Sequence, residues 1–447
     1  MHDEQVRKPE PWEDATPRPA QPRRRKRKKT KWEIFKERYL RLVVLFAGVV
    51  LLIFLVVGLI RLATGGPDPT EIPTETVEEA PTEVGPQAEE VLEPAKILAA
   101  QYDYDAAIEL LMTFQGLDTR VELALDEYRN ARNTLIVWHD NTSIPHISFQ
   151  NLIVDPDRAF DGDSAARDYA KYNLTVAEFQ AALDQMYRNN FVLVSMTDVA
   201  VPNAEGVFEA TQIMLPAGKK PLIMSLLPAG YTLNRAGDGF ARRLVIGEDG
   251  KITAEYIDIT ATRQYGAYDF VSVLEAFIAQ HPDFSYHGAR AVIGFDDDPE
   301  PLGYDMAKET DLAELKKVVQ CLGDTGYEFA SFSYEGVRYG DAEASEVKAD
   351  VDAWKTVYGE LLGDVEILIY AGGSDLLEYS GEKFNTLYSA GFRYFVGMDN
   401  KTKSWGIIAD SYVRQDRRTI NGTRITEDQK LLIDLFDADS IRDPERP

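Results

Sequence analysis

The chain has 447 residues, with 48 Lys and Arg against 74 Asp and Glu, and a formal net charge of −26 at pH 7. Residues 1–41 hold 14 of the basic and 7 of the acidic side chains, which leaves 34 basic and 67 acidic residues for the rest. So acidic a region disfavours nucleic acid and suits neutral or cationic ligands such as glycans, although the charge could also serve solubility alone. Cys321 is the only cysteine, so an intrachain disulfide and a cysteine-based metal site are excluded.

An uncharged apolar stretch, Leu42 to Ile60, dominates the N-terminal region. Nineteen residues at about 1.5 Å of helical rise span the roughly 30 Å core of a bilayer, which predicts one transmembrane helix. Basic residues precede this stretch, and the thirty residues after Arg61 contain no Lys or Arg. The positive-inside rule therefore predicts a single-pass membrane protein with a cytoplasmic N-terminus, residues 1–41, and an extracellular C-terminal domain. A cleaved signal peptide is the alternative, but it needs a shorter apolar core and an A-x-A-like cleavage site.

Two short regions follow the predicted anchor. Residues 61–94 are rich in Pro, Glu and Thr and predict an extended extracellular stalk. Apolar residues then recur at helical spacing, which predicts two or three short helices within about Ala88 to Arg132, with a helical hairpin over residues 95–132. The hairpin resembles one tetratricopeptide-type unit. Because a single unit cannot bury its own apolar face, packing on the next domain is favoured over peptide binding.

Residues 133–447 alternate short apolar runs with amphipathic helices, for example KPLIMSLL at 220–227 and VEILIYA at 365–371. Strands buried on both faces and separated by helices predict an α/β fold with a parallel sheet, and about seven such strands favour a barrel. An open doubly wound sheet is the alternative, but the Gly-rich phosphate turn expected after its first strand is missing. Residues 240–268 predict an inserted hairpin that turns at Glu248 to Gly250.

Several segments of this region resemble the catalytic domain of polysaccharide deacetylases. They are TVAEFQAALDQMYRNNFVLVSMTDVA, IMLPAGKKPLIMS, GYEFASFSYEG and VEILIYAGGSD. More narrowly, FQNLIVDPDRAFDGD and LFDADSIRDPERP resemble a membrane-anchored branch from Gram-positive bacteria. The resemblance runs from about Phe149 to the C-terminus and implies a deformed (β/α) barrel. It also implies an Asp-His-His metal site whose cation polarises an acetamide carbonyl while a carboxylate removes a proton from water.

The residues that this resemblance would make responsible for catalysis are replaced. The degenerate site positions are Leu227 and Pro228 in place of the Asp pair, and Phe332 and Gly336 in place of the two histidines. None of these side chains offers a lone pair to a cation, so we predict no metal, no cofactor and no catalytic residue of the family type. No substitute ligand spacing is found among the remaining histidines, which are interpreted as ordinary polar or partly buried residues: His139, His146, His281 and His287.

Aromatic and charged residues near the predicted strand ends are candidates for glycan binding, because sugar rings stack on aromatic faces and their hydroxyls bond to charged groups. These candidates are Tyr231, Tyr334, Tyr370, Trp405, Asp297, Asp375 and Arg414. The acidic run at residues 296–298 could also bind Ca²⁺ or a cationic sugar, or form an ordinary solvated turn. Asp297, Glu335 and Asp375 could instead provide a carboxylate pair for glycoside cleavage.

Three functions remain open at this point. The favoured function is a membrane-tethered, catalytically inactive deacetylase-like protein that binds cell-wall glycan or a wall-assembly partner, with no role for nucleic acid. The second is an active glycan hydrolase that uses carboxylates instead of a metal. The third is an interaction scaffold whose helical hairpin recruits another protein.

Overall fold

The computed structural model describes residues 87–231, 233–399, 401 and 403–447, which belong to one compact unit. The predicted cytoplasmic tail and membrane anchor, and the predicted stalk up to residue 86, lie outside these residues. Within the described part of the chain, no helix combines the length and the apolar character needed to cross a bilayer.

Helices and strands are numbered in chain order. The α-helices are α1 (Ala88–Ala100), α2 (Tyr104–Leu111), α3 (Thr119–Arg132), α4 (Pro156–Ala159), α5 (Ala166–Tyr172), α6 (Val176–Arg188), α7 (Leu233–Gly237), α8 (Phe270–Gln280), α9 (Glu309–Thr325), α10 (Ala344–Leu362), α11 (Gly381–Ser389), α12 (Gly422–Thr426) and α13 (Ala438–Ile441). The strands are β1 (Ile136–Val137), β2 (His146–Phe149), β3 (Phe191–Leu193), β4 (Ala200–Pro202), β5 (Phe208–Ala210), β6 (Met214–Leu215), β7 (Lys220–Leu226), β8 (Arg243–Ile246), β9 (Ile252–Ile257), β10 (Arg263–Gly266), β11 (Val292–Phe295), β12 (Glu328–Ser331), β13 (Ile367–Ile369), β14 (Tyr394–Val396), β15 (Gly406–Ile408), β16 (Val413–Gln415) and β17 (Arg418–Thr419).

The central sheet has the order β15-β16-β14-β13-β12-β11-β7-β2-β17, and β3 pairs with the first part of β7. Every neighbouring pair in this sheet is parallel except β15 and β16. The predicted α/β fold with buried parallel strands is confirmed, because helices lie between most of these strands in the chain. The sheet curls into a half-barrel.

The two ends of this sheet meet at residues 413–419, a segment that we call the seam. β16 pairs with β14 at one end, β17 pairs with β2 at the other, and only Asp416 and Arg417 separate these two strands. The backbone ladder of the described strands does not close across the gap. The side chain of Gln415 crosses it instead, because its Oε1 lies 3.2 Å from Nδ1 of His146 on β2.

The two faces of the sheet pack into two different cores. On β7, Leu222, Met224 and Leu226 belong to the core that the sheet shares with the surrounding helices. Ile223 and Leu227 belong to the core inside the curl. This alternation follows the period of two residues in a strand. Leu227, one residue beyond the end of β7, therefore points into the interior.

The helical region begins earlier than the predicted boundary between stalk and hairpin. α1 starts at Ala88, so residues 88–94 are helical and do not extend the stalk. The start is stabilised where the carboxylate of Glu90 accepts a hydrogen bond from the backbone N–H of Gln87 at 3.1 Å. The helices contact the sheet region through the Tyr102 hydroxyl, which donates to the carbonyl of Asp283 at 2.9 Å.

The inserted hairpin predicted at residues 240–268 is present. β8 and β9 pair antiparallel, and Ile246 lies opposite Ile252 across the predicted turn. A third strand, β10, extends the hairpin into a small antiparallel sheet that was not predicted. Its side chains are largely exposed.

Candidate functional site

The C-terminal ends of β7, β11 and β12 lie side by side, and three of the four degenerate positions follow β7 and β12 directly: Leu227, Pro228 and Phe332. The backbone N–H of Phe332 donates to the carbonyl of Phe295 at 2.9 Å, which holds Phe332 beside the end of β11. A Cβ built on Gly294 would lie 2.5 Å from Cδ2 of Leu227 and 3.2 Å from Cβ of Phe332. The two side chains therefore meet above the bare Cα of Gly294. They fill the position where the resemblance implies a metal.

A guanidinium group occupies the same region. Arg417 is 3% exposed, and its Cζ lies 5.8 Å from the ring centroid of Phe332. Its Nη1 donates to the carbonyl of Gly397 at 2.7 Å and its Nη2 to that of Tyr370 at 3.1 Å, while its buried Nε has no hydrogen-bond partner. Burial lowers the pKa of Arg417 to about 10, so the group remains positively charged at neutral pH.

These residues do not fit a divalent cation. Leu227 belongs to an apolar cluster, and the nearby charge of Arg417 is positive, so a metal would meet repulsion where it needs anionic or neutral donors. Within the described residues, no group of three or more His, Cys, Asp or Glu side chains is arranged to hold a metal. The metal chemistry of the deacetylases is therefore not assigned to this site.

The fourth degenerate position, Gly336, lies in a loop with a special backbone. Its φ is +68°, in the left-handed region where a side chain is strained, and a Cβ built there would meet nothing within 4 Å. Ser333, in the same loop, also has a positive φ of 63°. A histidine at Gly336 would consequently be strained, and its Cβ would have no neighbour to hold it in place.

One buried carboxylate holds this loop, and the sequence interpretation missed it. Asp350 on α10 is 4% exposed. It accepts hydrogen bonds from the backbone N–H groups of Tyr334 and Glu335, both at 2.8 Å, and from the Tyr339 hydroxyl at 2.5 Å. The sequence contained one indication of this role. Asp350 lies three residues after Val347, on the buried face of α10, and a buried carboxylate needs hydrogen-bond partners.

Below Leu227, three buried side chains are connected like a serine–histidine triad. Nε2 of His146 lies 3.1 Å from the hydroxyl of Ser225, and Nδ1 lies 3.2 Å from Oε1 of Gln415. Because Nε2 of Gln415 donates to the carbonyl of Ile144 at 2.9 Å, its Oε1 faces the imidazole. We therefore assign the proton to Nδ1, which leaves Nε2 to accept from the serine.

This arrangement is not suited to base catalysis. Burial, reinforced by the positive charge of Arg417, lowers the pKa of His146 to about 3, so the imidazolium that a general base must form is strongly disfavoured. Ser225 is completely buried, and Leu227 covers the interior above it. The three side chains stabilise the seam, and His146 is completely buried, more so than the ordinary polar or partly buried histidine that the sequence predicts.

Three of the predicted glycan-binding residues lie together in what we call the Trp405 cluster: Asp375, Tyr379, Trp405, Tyr412 and Arg414. The guanidinium carbon of Arg414 lies between two rings, 4.9 Å from the Trp405 centroid and 5.1 Å from that of Tyr379. Nε of Arg414 donates to Oδ2 of Asp375 at 2.7 Å. Tyr379 donates to the other carboxylate oxygen at 2.6 Å. Its ring stacks on Tyr412 with centroids 4.7 Å apart.

The Trp405 cluster lies beside the C-terminal end of β14 and is partly open to solvent. A Cβ built on Gly397, the residue after β14, would lie 2.9 Å from Oδ2 of Asp375, so the absence of a side chain makes room for this carboxylate. The side chain of Arg414 is 23% exposed and that of Asp375 is 14% exposed. Leu377, two residues further along the chain, is 93% exposed. The surface at the cluster is therefore both aromatic and polar.

Tyr370 and Tyr231 do not present rings to solvent, which corrects their prediction as glycan platforms. Tyr370 is 1% exposed, and its hydroxyl lies 3.1 Å from that of Tyr379, so it supports the Trp405 cluster from below. Tyr231 is 2% exposed, and its hydroxyl donates to the buried carboxylate of Asp269. The sequence placed both tyrosines correctly after strands, but the chain turns their rings inward.

The other candidates lie outside this cluster. Asp297 is exposed, while its neighbour Asp296 is partly buried and burial raises the pKa of that carboxyl to about 6. Tyr334 is partly buried in the loop held by Asp350, and Glu335 beside it is exposed. The predicted carboxylate pair therefore has no support from Asp375, whose two oxygens are already bonded to Arg414 and Tyr379.

The role of Tyr231 can be measured. The Tyr231→Phe variant should lower the free energy of unfolding by about 1–3 kcal/mol, because it removes a donor from the buried carboxylate of Asp269. Urea denaturation at neutral pH gives this value. Tyr265→Phe, at a tyrosine that is 57% exposed, should change stability by less than about 0.5 kcal/mol. Equal stability of both variants would show that Asp269 does not depend on this hydroxyl.

Comparison with known proteins identifies similar structures but no matching family. No protein-family model matches the chain, and no curated protein sequence matches it. Streptococcus pyogenes deacetylase PplD in complex with acetate aligns with a TM-score of 0.39 and 11% identity, over 66% of this chain and 98% of that one. BA0330 from Bacillus anthracis, provisionally named a polysaccharide deacetylase, aligns with a TM-score of 0.35 and 9% identity, over 66% and 69% of the two chains. The chitin deacetylase of Colletotrichum lindemuthianum aligns with a TM-score of 0.22 and 9% identity, over 38% and 75%. Each of the three aligned proteins is named as a deacetylase, and all three TM-scores lie below 0.5.

Proposed function

We propose that this chain is a saccharide-binding protein with a deacetylase-like fold that does not hydrolyse acetamides through a metal. One observation carries the proposal: Leu227 and Phe332 pack against each other above Gly294, at the strand ends where a deacetylase would hold its cation. The positive charge of Arg417 lies beside them. At these strand ends, the described residues provide neither the metal ligands nor the general base that hydrolysis of the family type requires.

The Trp405 cluster supports saccharide binding. Pyranose rings have apolar faces that stack on aromatic side chains, and their hydroxyl groups accept or donate hydrogen bonds at the rim. Trp405 provides an aromatic ring, and its Nε1 is fixed by donation to Asp399 at 3.0 Å. Arg414 and Asp375 are held in place by each other, so a ligand meets groups that are already ordered. We infer that the saccharide binds across Trp405 and the exposed edge of Arg414.

The predicted membrane anchor gives this binding a biological setting. A protein tethered through residues 42–60 would meet envelope saccharides at high effective concentration, so a weak site would be sufficient. The acidic composition beyond residue 41 favours a neutral or N-acetylated saccharide at the Trp405 cluster over an anionic one. Cell-wall glycan is accordingly the ligand that we propose.

Calorimetric titration of N-acetylglucosamine oligomers into the full-length chain tests this function. Trp405→Ala should weaken binding by about tenfold or more, which corresponds to about 1.4 kcal/mol, because the stacking surface is lost. Tyr265→Ala, which removes an exposed aromatic ring from the inserted hairpin, should bind like the unmodified chain. Metal content and acetate release are measured on the same protein.

Two different results would contradict the proposal. Stoichiometric divalent metal together with acetate release would overturn the absence of hydrolysis. Equal binding by the two variants would show that the saccharide does not contact Trp405. If the unmodified chain does not bind the oligomers, the proposal that it is a saccharide-binding protein is wrong.

A further inference from the structure

A basic cavity lies between α5, α12 and the C-terminal segment. Its volume is about 390 Å³, and its lining includes four cationic side chains and one carboxylate side chain. The cations are Arg167, Lys171, Arg442 and Arg446, and the carboxylate belongs to Glu427. Such a basic lining contrasts with a region of the chain that has about twice as many acidic as basic residues.

Arg446 forms the fixed wall of this cavity and adds no net charge. It is 5% exposed, and its Nε donates to Oε1 of the fully buried Glu178 at 2.6 Å. Its Nη2 also donates to the carbonyl of Asn173 at 2.8 Å. The charge of Arg446 is therefore neutralised on the side that faces the protein.

The other three cations have no carboxylate partner of this kind. Among the ion pairs formed by the described residues, none involves Arg167, Lys171 or Arg442. Nη2 of Arg442 donates to a main-chain oxygen of Pro447 at 3.5 Å, a long contact that leaves the other guanidinium N–H groups available to a ligand. Three cationic side chains that form no ion pair with Asp or Glu thus converge on one cavity, and Glu427 is the one acidic side chain among the described residues that line it.

The spacing of the two cationic side chains on α5 does not stabilise this helix. Arg167 and Lys171 are four residues apart on α5, so they share one face of the helix, where like charges repel each other. Ala170, on the same face, also lines the cavity. An anion between the two cations would convert this repulsion into attraction.

The walls are held close together by backbone contacts. A Cβ built on Gly422, the first residue of α12, would lie 1.9 Å from the carbonyl oxygen of Ala170, so only glycine permits this approach. The hydroxyl of Thr423 donates to the carbonyl of Lys171 at 3.3 Å. α5 and α12 are consequently fixed relative to each other, and the cations do not have to be brought together by the ligand.

We propose that this cavity binds a phosphate group, carried by a phosphorylated sugar or polyol. Guanidinium and ammonium groups are the usual protein partners of phosphate, because its several charged oxygens accept hydrogen bonds from different directions. The volume admits a phosphate together with part of its sugar or polyol. This site is separate from the Trp405 cluster, so it does not depend on saccharide binding there.

Titration of inorganic phosphate and of glycerol 3-phosphate into the full-length chain, followed by NMR, tests the inference, with glycerol as the uncharged probe. The double variant Arg167→Ala/Lys171→Ala should bind both phosphates about tenfold more weakly or worse. Affinity of the unmodified chain should fall as salt is raised. The matched control is Lys316→Ala/Lys317→Ala, which removes the same charge from α9, where both lysines form exposed ion pairs.

The outcomes distinguish a specific phosphate site from nonspecific attraction of anions to basic side chains. Loss of binding in the α5 variant with retention in the α9 control supports the cavity, and tighter binding of glycerol 3-phosphate than of inorganic phosphate supports a phosphorylated sugar or polyol as the ligand. Equal weakening in both variants, or no binding of either phosphate by the unmodified chain, would overturn the inference. Thermal unfolding of both variants confirms that they are folded.

Discussion

Replacing Arg446 by alanine is expected to lower the free energy of unfolding by about 3–5 kcal/mol. The substitution leaves the carboxylate of Glu178, which is completely buried, without its charged partner. It also removes the bonds from the guanidinium to the carbonyl groups of Ala170 and Asn173, which tie the C-terminal segment to the last turn of α5 and the residue after it. Chemical denaturation followed by fluorescence measures the change.

Arg188→Ala is the control for this experiment. Arg188 forms an i,i+4 ion pair with Asp184 on the same helix as Glu178, but its side chain is 72% exposed, so its loss should cost at most about 0.5 kcal/mol. A double variant, Glu178→Leu/Arg446→Met, should recover much of the lost stability because no buried charge is left unpaired. A loss below about 1 kcal/mol for Arg446→Ala would contradict a buried role for this pair.

Replacing Asp350 by alanine is expected to cost about 3–5 kcal/mol and to release the loop at residues 333–339. The carboxylate accepts hydrogen bonds from two backbone N–H groups and from the hydroxyls of Ser333 and Tyr339. All of these donors lose their partner at once, and the Tyr339 hydroxyl is buried. Amide hydrogen exchange at Tyr334 and Glu335 should accelerate strongly, and denaturation gives the stability change.

Asp352→Ala tests whether the position of the carboxylate matters. Asp352 lies two residues further along α10, is 62% exposed and pairs with Lys348. Its removal should change stability by less than about 1 kcal/mol and leave the loop amides protected. If exchange at Tyr334 and Glu335 is as slow in Asp350→Ala as in this control, the loop does not depend on Asp350.

Local patterns in the sequence were sufficient to predict the main buried strands and the parallel type of the central sheet, but not the additional strand β10. Runs such as VEILIYA predict buried strands because both faces are apolar, and the structure places Ile367–Ile369 there. The turn of the inserted hairpin followed from its Glu-Asp-Gly sequence. The resemblance also predicts that Leu227 and Phe332 replace metal-site residues, and in the structure the two side chains meet above Gly294.

The contacts of the site depended on tertiary distances that a single sequence does not contain. Gln415 and His146 meet across the seam although they are 269 residues apart. An aromatic residue after a strand can face the solvent or the core, and for Tyr231 the buried Asp269 decides between them. Arg417 was a candidate hydrogen-bond donor together with Arg414, but the RQDRR segment does not indicate which of its arginines is buried. Its burial follows from the curl of the sheet.

The backbone of the loop at residues 333–339 limits how this scaffold could be redesigned. Installing a deacetylase centre would require more than exchanging four side chains, because Gly336 has a left-handed φ of +68° that strains any side chain placed there. Arg417 would also need removal, since a new cation could not be accommodated beside a buried guanidinium. The whole loop would have to be replaced, together with the carboxylate of Asp350 that holds it in its present conformation.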